Sequence, residues 1–138
     1  MRVVINDNEL NVEVLGEKGA PVLIAHHGGG GIGSLAEPKA TFGPLSDKFQ
    51  VVVFDARGCG LSEGKPPFSH AQWAADVDGL REWMGADQID YDECGRSDCA
   101  GELWRCEYER RDSGVWCEAE RRHAGSGASG DFFKQWQR

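Results

Sequence analysis

Two stretches of this 138-residue chain decide its fold, and each is an apolar run that ends in a glycine-rich polar loop. The first reads Pro21-Val22-Leu23-Ile24-Ala25-His26-His27-Gly28-Gly29-Gly30-Gly31. The second reads Gln50-Val51-Val52-Val53-Phe54-Asp55-Ala56-Arg57-Gly58-Cys59-Gly60-Leu61-Ser62. A continuous apolar run without alternation is typical of a strand that is covered on both faces, as in a parallel sheet. The sequence therefore predicts two buried strands, each followed by a loop.

A hairpin and a short helix are predicted around these strands. Residues 3–15 are rich in β-branched side chains and have a polar interruption, which predicts an amino-terminal β-hairpin. Residues 34–48 have a helical pattern that Pro38 and Gly43-Pro44 interrupt, which predicts a short, irregular helix.

The strongest helix signal follows the second loop. Ser69 and Gln72 have the spacing of a capping box, and Gly85 provides a stop. One apolar face is formed by Trp73, Val77, Leu80 and Met84. The acidic residues expected to face water are Asp76, Asp78 and Glu82. The order strand, helix, strand, helix predicts a parallel sheet with right-handed crossovers.

The composition of the chain changes near residue 91. Residues 1–91 contain 22 Val, Ile, Leu or Met residues, whereas residues 92–138 contain only Leu103 and Val115. So few aliphatic side chains cannot bury enough apolar surface to offset the entropy lost on ordering. The sequence therefore predicts a folded region, residues 1–91, and a disordered or out-of-frame tail, residues 92–138.

Charge and composition exclude several classes of protein. A net charge of −8 argues against a nucleic-acid partner, which requires a basic face. No stretch approaches the roughly 18–20 apolar residues of a membrane span. The first residues do not have the pattern of a signal peptide, so a cytoplasmic location is expected. Five cysteines, an odd number, indicate reduced thiols rather than a disulfide framework.

Together, the glycine loop after His27 and the loop Asp55-Ala56-Arg57-Gly58-Cys59-Gly60-Leu61-Ser62 resemble the amino-terminal half of the α/β-hydrolase superfamily. The likeness is greatest to proline-iminopeptidase-like members, which have a His-Gly-Gly-Pro-Gly loop and an Asp-x-Arg-Gly-x-Gly-x-Ser loop. It covers about residues 10–90, and Gly30 stands where that subgroup has proline. The resemblance implies an incomplete α/β-hydrolase fold with an amino-terminal hairpin, parallel strands, two helices and an unstructured carboxy-terminal tail.

The resemblance also implies roles for individual residues. The backbone amides of Gly28 and Gly29 would form part of an oxyanion hole, which stabilises the charge on a substrate carbonyl oxygen. His27 would brace this loop by hydrogen bonding, and Asp55 and Arg57 would form a charge-assisted pair. The residues expected to order the loops are His27, Asp55, Arg57, Gly58, Gly60 and Ser62. A small-molecule or peptide substrate is implied, and neither a cofactor nor a metal is expected.

Two further patterns match known motifs. Gly60-Leu61-Ser62-Glu63-Gly64 has the form of a nucleophile elbow, but Lys65-Pro66-Pro67 follows and disfavours the helix that an elbow requires. Gly28, Gly30 and Gly33 have the spacing of a dinucleotide-binding loop, with Asp55 at the end of the next strand. A Rossmann-like dinucleotide-binding module is therefore the alternative function.

No catalytic triad is identifiable in the sequence. In the resembled family a strand and a nucleophile elbow follow the second helix, whereas this chain reads Asp92-Glu93-Cys94-Gly95-Arg96-Ser97-Asp98-Cys99-Ala100-Gly101. We hypothesise that this tail is translated out of frame. Codons allowed for Gly101–Cys106, read one base later, can encode Gly-Ser-Tyr-Gly-Gly, which has the form of an elbow. On this hypothesis the hydrolase is truncated before its nucleophile and inactive.

Two other interpretations of the chain remain open. A zinc site could use Cys94, Cys99, Cys106, Cys117 and His123, although their spacing lacks paired Cys-x-x-Cys motifs. Alternatively, the half-domain is a non-catalytic protein that binds a partner. The open hydrophobic edge of its sheet would then be covered by that partner or by a second copy of the chain.

Overall fold

The structure, a computed structural model, describes residues 1–28, 32–93, 102–111 and 114–123, with side chains through residue 91. Its strands are β1 (Arg2–Ile5), β2 (Asn8–Leu15), β3 (Val22–His26), β4 (Gln50–Phe54), β5 (Ile89–Glu93), β6 (Glu102–Arg111) and β7 (Gly114–His123). Its helices are α1 (Ala36–Phe42), a 3-10 helix (Gly43–Asp47) that follows α1 directly, and α2 (His70–Met84). The irregular helix expected over residues 34–48 is therefore confirmed.

The strands form one sheet in the order β1-β2-β4-β3-β5-β6-β7. The two buried strands predicted from the sequence, β3 and β4, are adjacent and parallel, with Ile24 opposite Val52. The other neighbour of β3 is β5, which is also parallel to it. The predicted hairpin is formed by β1 and β2, whose turn places Asn6 and Asp7 at φ +48° and +59°. Positive φ at both turn residues suits the twist of a two-residue hairpin.

Side chains of the central strands pack on both faces of the sheet. On one face Ile24 and Phe54 belong to a cluster that includes Val77 and Leu80 of α2. On the other face the cluster of buried residues comprises Leu23, Ala25, Leu35, Phe42, Val51 and Val53. The sheet therefore has α2 on one side and α1 on the other, which explains the continuous apolar runs of β3 and β4.

Helix α2 begins and ends where the sequence predicts. The Ser69 side chain accepts a hydrogen bond from the Gln72 amide at 3.2 Å, and Gly85 ends the helix at φ +69°. Two acidic residues differ from the prediction that they face water, because Asp76 and Asp78 are 1% and 2% exposed. They are buried because each pairs with an arginine.

The carboxy-terminal region differs from the prediction of an unstructured tail. Strand β5 continues past residue 91 to Glu93, and β6 and β7 form an antiparallel hairpin against it. The prediction of an unstructured tail was based only on the small number of aliphatic residues in this region. Residues 104–109 alternate between Trp, Cys or Tyr and charged residues, and this alternation suits an antiparallel strand.

The hairpin of β6 and β7 also changes the expected open edge of the sheet. The register places Tyr91 of β5 opposite Trp104 of β6, so β5 is paired on both sides. Within the described residues β7 is the outermost strand at this end. Self-association through a sheet edge stays a prediction, and it now concerns β7 rather than β5.

Candidate active site

His27 joins the loops that follow β3 and β4. The residue is 1% exposed, and its Nε2 atom accepts a hydrogen bond from the Ala56 amide at 3.0 Å. Because a backbone amide can only donate, Nε2 carries no proton, and the ring proton lies on Nδ1. Nδ1 lies 3.0 Å from the Gly28 carbonyl oxygen and therefore donates to it. The ring thus connects the start of the glycine loop to the loop after β4.

Gly33, which follows the glycine loop in the sequence, lies very close to His27. A Cβ atom on Gly33 would lie 2.0 Å from Nδ1 of His27 and 2.3 Å from the Gly28 carbonyl oxygen. Only glycine allows this approach. Packing against His27 therefore explains why a glycine stands at the third position of the dinucleotide-binding pattern.

The structure describes one of the two predicted oxyanion-hole amides. The amide of Gly28 donates to Oε2 of Glu37 at 3.2 Å. Gly29 lies outside the described residues, as do Gly30 and Gly31. Sequence reasoning did not identify Glu37, since nothing in its surroundings in the sequence points to the loop nine residues earlier. The Gly28 amide is positioned to bind an oxygen atom, and in this structure that oxygen belongs to a carboxylate.

Asp55 holds three segments of the chain together. It is 2% exposed, and its carboxylate accepts from the amides of Leu35 and Leu61 at 2.6 and 2.8 Å. It also accepts from the Asn11 side chain at 2.9 Å. The hypothesis that Asp55 pairs with Arg57 is wrong, because the guanidinium of Arg57 bonds to a carboxylate of α2 and the Asp55 carboxylate bonds to these three donors. These bonds fix the start of α1 and the loop after β4 relative to β2.

Arg57 pairs instead with Asp76 of α2. Its Nε and Nη2 atoms each lie 2.9 Å from an oxygen of the Asp76 carboxylate, and both side chains are 2% exposed. The hydrogen bonds to Asp76 raise the pKa of Arg57 above its ordinary value. The guanidinium also donates to the carbonyl oxygens of Lys65 and Asn6, at 2.8 and 3.3 Å. Arg57 therefore joins the second loop to α2 and to the amino-terminal hairpin.

The remaining predicted loop residues pack around this network. Gly60 has φ +51°, and a Cβ atom there would lie 2.3 Å from Cγ of Asp55. Gly58 has φ +77°, and a Cβ there would lie 2.9 Å from the ring of Phe68. At both positions glycine avoids a strained backbone and a steric clash.

Ser62 does not have the surroundings of a nucleophile. Its Oγ atom donates to the Asp55 carbonyl oxygen at 2.6 Å and accepts from the Asn11 amide at 2.8 Å. No helix begins directly after Ser62; the next one, α2, begins at His70. The expectation that the glycine-flanked serine is not an elbow agrees with this geometry.

His26, which precedes His27, lies in a largely buried environment that the sequence did not predict. Burial and, to a smaller extent, the neighbouring His27 lower the pKa of His26 from 6.5 to about 4. Its ring packs edge-on against Phe54 with centroids 5.2 Å apart, and its Nδ1 lies 2.5 Å from the His27 carbonyl oxygen. The available signal was the His-His doublet, whose ring centroids lie 4.8 Å apart.

The alternative functions gain nothing from this geometry. A dinucleotide-binding role would need the Asp55 carboxylate free to bind a ribose, whereas its oxygens bind protein donors.

Of the predicted zinc ligands, Cys94 and Cys99 lie outside the described residues, and the other three are described as backbone only. Among the described side chains no group of three potential metal ligands occurs. Stretch 94–101, where an elbow would follow β5, is also outside the described residues.

Curated proteins with similar sequences are proline iminopeptidases. The chain is 37% identical over 79 residues to proline iminopeptidase PfmaB of Pestalotiopsis fici, a match that covers 57% of this chain and 28% of that protein. It is 38% identical over 73 residues to the proline iminopeptidase of Neisseria gonorrhoeae, covering 49% of this chain and 22% of that enzyme. The chain thus spans between a fifth and a third of these relatives. No family model matches it.

Solved structures with a similar fold are hydrolases or hydrolase-related proteins. The proline iminopeptidase-related protein of Thermus thermophilus matches with a TM-score of 0.62 and 28% identity, over 67% of this chain and 34% of its own. The enol-lactonase of Burkholderia xenovorans matches with a TM-score of 0.62 and 26% identity, over 73% and 39%. In the described residues, no helix is both long enough and apolar enough to span a bilayer. Over roughly half its length, the chain therefore resembles the amino-terminal part of proline-iminopeptidase-like α/β-hydrolases.

Proposed function

We propose that residues 1–93 are the amino-terminal part of a serine hydrolase of peptidase or esterase type, in which the Gly28 amide stabilises an oxyanion. The observation that carries the proposal is the glycine loop at the end of β3, which His27 clamps to the loop after β4. This loop leaves the sheet beside β5, after which a nucleophile elbow follows in the resembled family. The names of the similar proteins, proline iminopeptidase and enol-lactonase, support acyl chemistry.

The proposed reaction is acyl transfer through an acyl-enzyme intermediate. When a nucleophile attacks the substrate carbonyl, negative charge develops on its oxygen, and a preorganised N–H donor stabilises that charge. His27 supplies the preorganisation, because it holds the carbonyl of the same residue whose amide donates. The acyl group and the leaving group stay undefined, so both peptide and ester hydrolysis belong to the proposal.

We also propose that this chain alone lacks turnover. The reaction needs a serine, a histidine base and an acid, and Ser62, which matches the elbow pattern, has its hydroxyl bonded to backbone. An out-of-frame tail accounts for the missing elbow, and the nucleotide sequence from the codon of Ile89 onward tests it. Esterase turnover by the full chain that a serine-directed phosphonate inhibits would contradict the absence of activity.

A chimera tests the role of the loop directly. The corresponding segment of the Neisseria gonorrhoeae enzyme is replaced by residues 1–93 of this chain, and hydrolysis of proline p-nitroanilide is measured. Gly28→Pro removes the N–H donor, whereas Gly28→Ala keeps it. We expect Gly28→Pro to lower kcat about 100- to 1,000-fold relative to Gly28→Ala, as for other oxyanion donors. Equal rates in two folded variants would refute the role of this amide.

A further inference from the structure

The Gly28 amide already has a partner within the chain. Glu37 lies in the first turn of α1, and its Oε2 atom accepts the Gly28 N–H at 3.2 Å. Gly28 is buried, whereas Glu37 is exposed to solvent. The contact is therefore made by a solvated carboxylate that reaches a buried donor at the site where the proposed function places the substrate oxygen.

The position of Glu37 is fixed by its helix rather than by its own packing. Pro38 and Phe42 of α1 are buried against the sheet. The amide of Leu35, just before the helix, donates to the buried Asp55 carboxylate at 2.6 Å. Because both ends of this short helix are anchored, Glu37 stays within reach of the loop.

The nearest cation on the same helix does not compete for Glu37. Lys39 points to β2, where its Nζ atom lies 2.6 Å from Oε2 of Glu13. The described contact of the Glu37 carboxylate is thus the one with Gly28. A charged acceptor forms a stronger hydrogen bond with an amide than a neutral carbonyl does.

We propose that Glu37 is an internal competitor for the oxyanion-stabilising amide, so that a bound anion or substrate oxygen must displace its carboxylate. This inference rests on the proposed function, since it assigns that amide to the substrate. A charged oxygen forms a stronger hydrogen bond with this amide than a neutral carbonyl oxygen does, so it displaces Glu37 more readily. Because the cost of displacing Glu37 is the same for every ligand, Glu37 weakens the binding of each ligand by the same factor.

The test follows the Gly28 amide by NMR in the full chain. Wild type is compared with Glu37→Ala and Glu37→Gln, and Glu17→Gln serves as a control at another exposed carboxylate. We expect Glu37→Ala to accelerate hydrogen exchange of the Gly28 amide at least tenfold and to shift its resonance. Glu37→Gln, which keeps a weaker acceptor, should lie between Glu37→Ala and wild type, and Glu17→Gln should match wild type.

Sodium acetate is then titrated as the anion probe. We expect a saturable shift of the Gly28 amide in Glu37→Ala and at least tenfold weaker binding in wild type. If the substitution leaves exchange and shift of this amide unchanged, or if acetate binds wild type and variant equally, the inference is wrong. If the substitution frees the amide but acetate does not bind, competition for an anion is also refuted. In that case the failure lies in the proposed oxyanion role, because the Glu37 contact itself has been demonstrated.

Discussion

Breaking the ion pair between Arg57 and Asp76 should destabilise the protein far more than breaking an ion pair on its surface. Both side chains are 2% exposed, and two 2.9 Å bonds join them. Removal of one partner leaves the other charge buried, which typically costs about 3–5 kcal/mol. Arg57→Met and Asp76→Asn should each lower the free energy of unfolding by a loss in that range.

A pair on the surface provides the matched control. Lys39 and Glu13 lie 2.6 Å apart, but their side chains are 46% and 38% exposed. Since solvent screens them, Lys39→Met should cost about 0–1 kcal/mol. The surface pair is the shorter of the two, so distance alone would make it the stronger one. A larger loss of stability at the buried pair would therefore be due to burial.

Urea denaturation of the full chain, followed by tryptophan fluorescence, measures these losses. The double variant of Arg57→Met with Asp76→Asn completes a cycle, and it should cost less than the sum of the single variants because no unpaired charge remains. A loss below about 1 kcal/mol for Arg57→Met, equal to that for Lys39→Met, would refute the argument that burial decides the cost.

Three other substitutions test separate parts of the structure. The pKa of His26 is lowered from 6.5 to about 4, so between these values the unfolded state binds the proton and the stability of the fold decreases as the pH is lowered. Relative to His26→Asn, wild type should lose up to about 3 kcal/mol from pH 7 to pH 4 in urea titrations, and parallel pH profiles would contradict this. Gly60→Ala places a Cβ 2.3 Å from Asp55 at φ +51°, and we expect a loss of about 2–4 kcal/mol. Gly19→Ala, at φ +98° with open space around it, should lose clearly less, and equal thermal shifts would exclude a clash at Gly60. Ser69→Ala removes the cap of α2 and should cost about 1 kcal/mol, whereas an unchanged urea midpoint would show that the cap is dispensable.

Features that depend on local chemistry were predictable from the sequence. The turn at Asn6 and Asp7, the continuous apolar runs of β3 and β4, and the cap at Ser69 each depend on residues close together in the chain. The resemblance suggested the role of the glycine loop, and the hydrogen bonds of His27 to this loop and to the loop after β4 agree with a bracing role. These signals are local, so the sequence displays them directly.

Contacts between distant segments were not predictable in the same way. Arg57 lies two residues from Asp55 and 19 from Asp76, and proximity in the sequence favoured the wrong carboxylate. Asp76 was predicted to face solvent for the same reason, because helical periodicity does not show that an arginine of another loop pairs with it. Strand β6 was missed because its alternation uses aromatic and cysteine residues rather than aliphatic ones.

The bonds of the Asp55 carboxylate have a consequence for motion in the folded protein. The amides of Leu35 and Leu61 are 26 residues apart, yet both donate to this one buried side chain. A local opening that frees one donor weakens the anchor of the other, so the two loops should fluctuate as a single cooperative unit. Their amide protons should then exchange with solvent at similar opening free energies, although nothing in the sequence joins them.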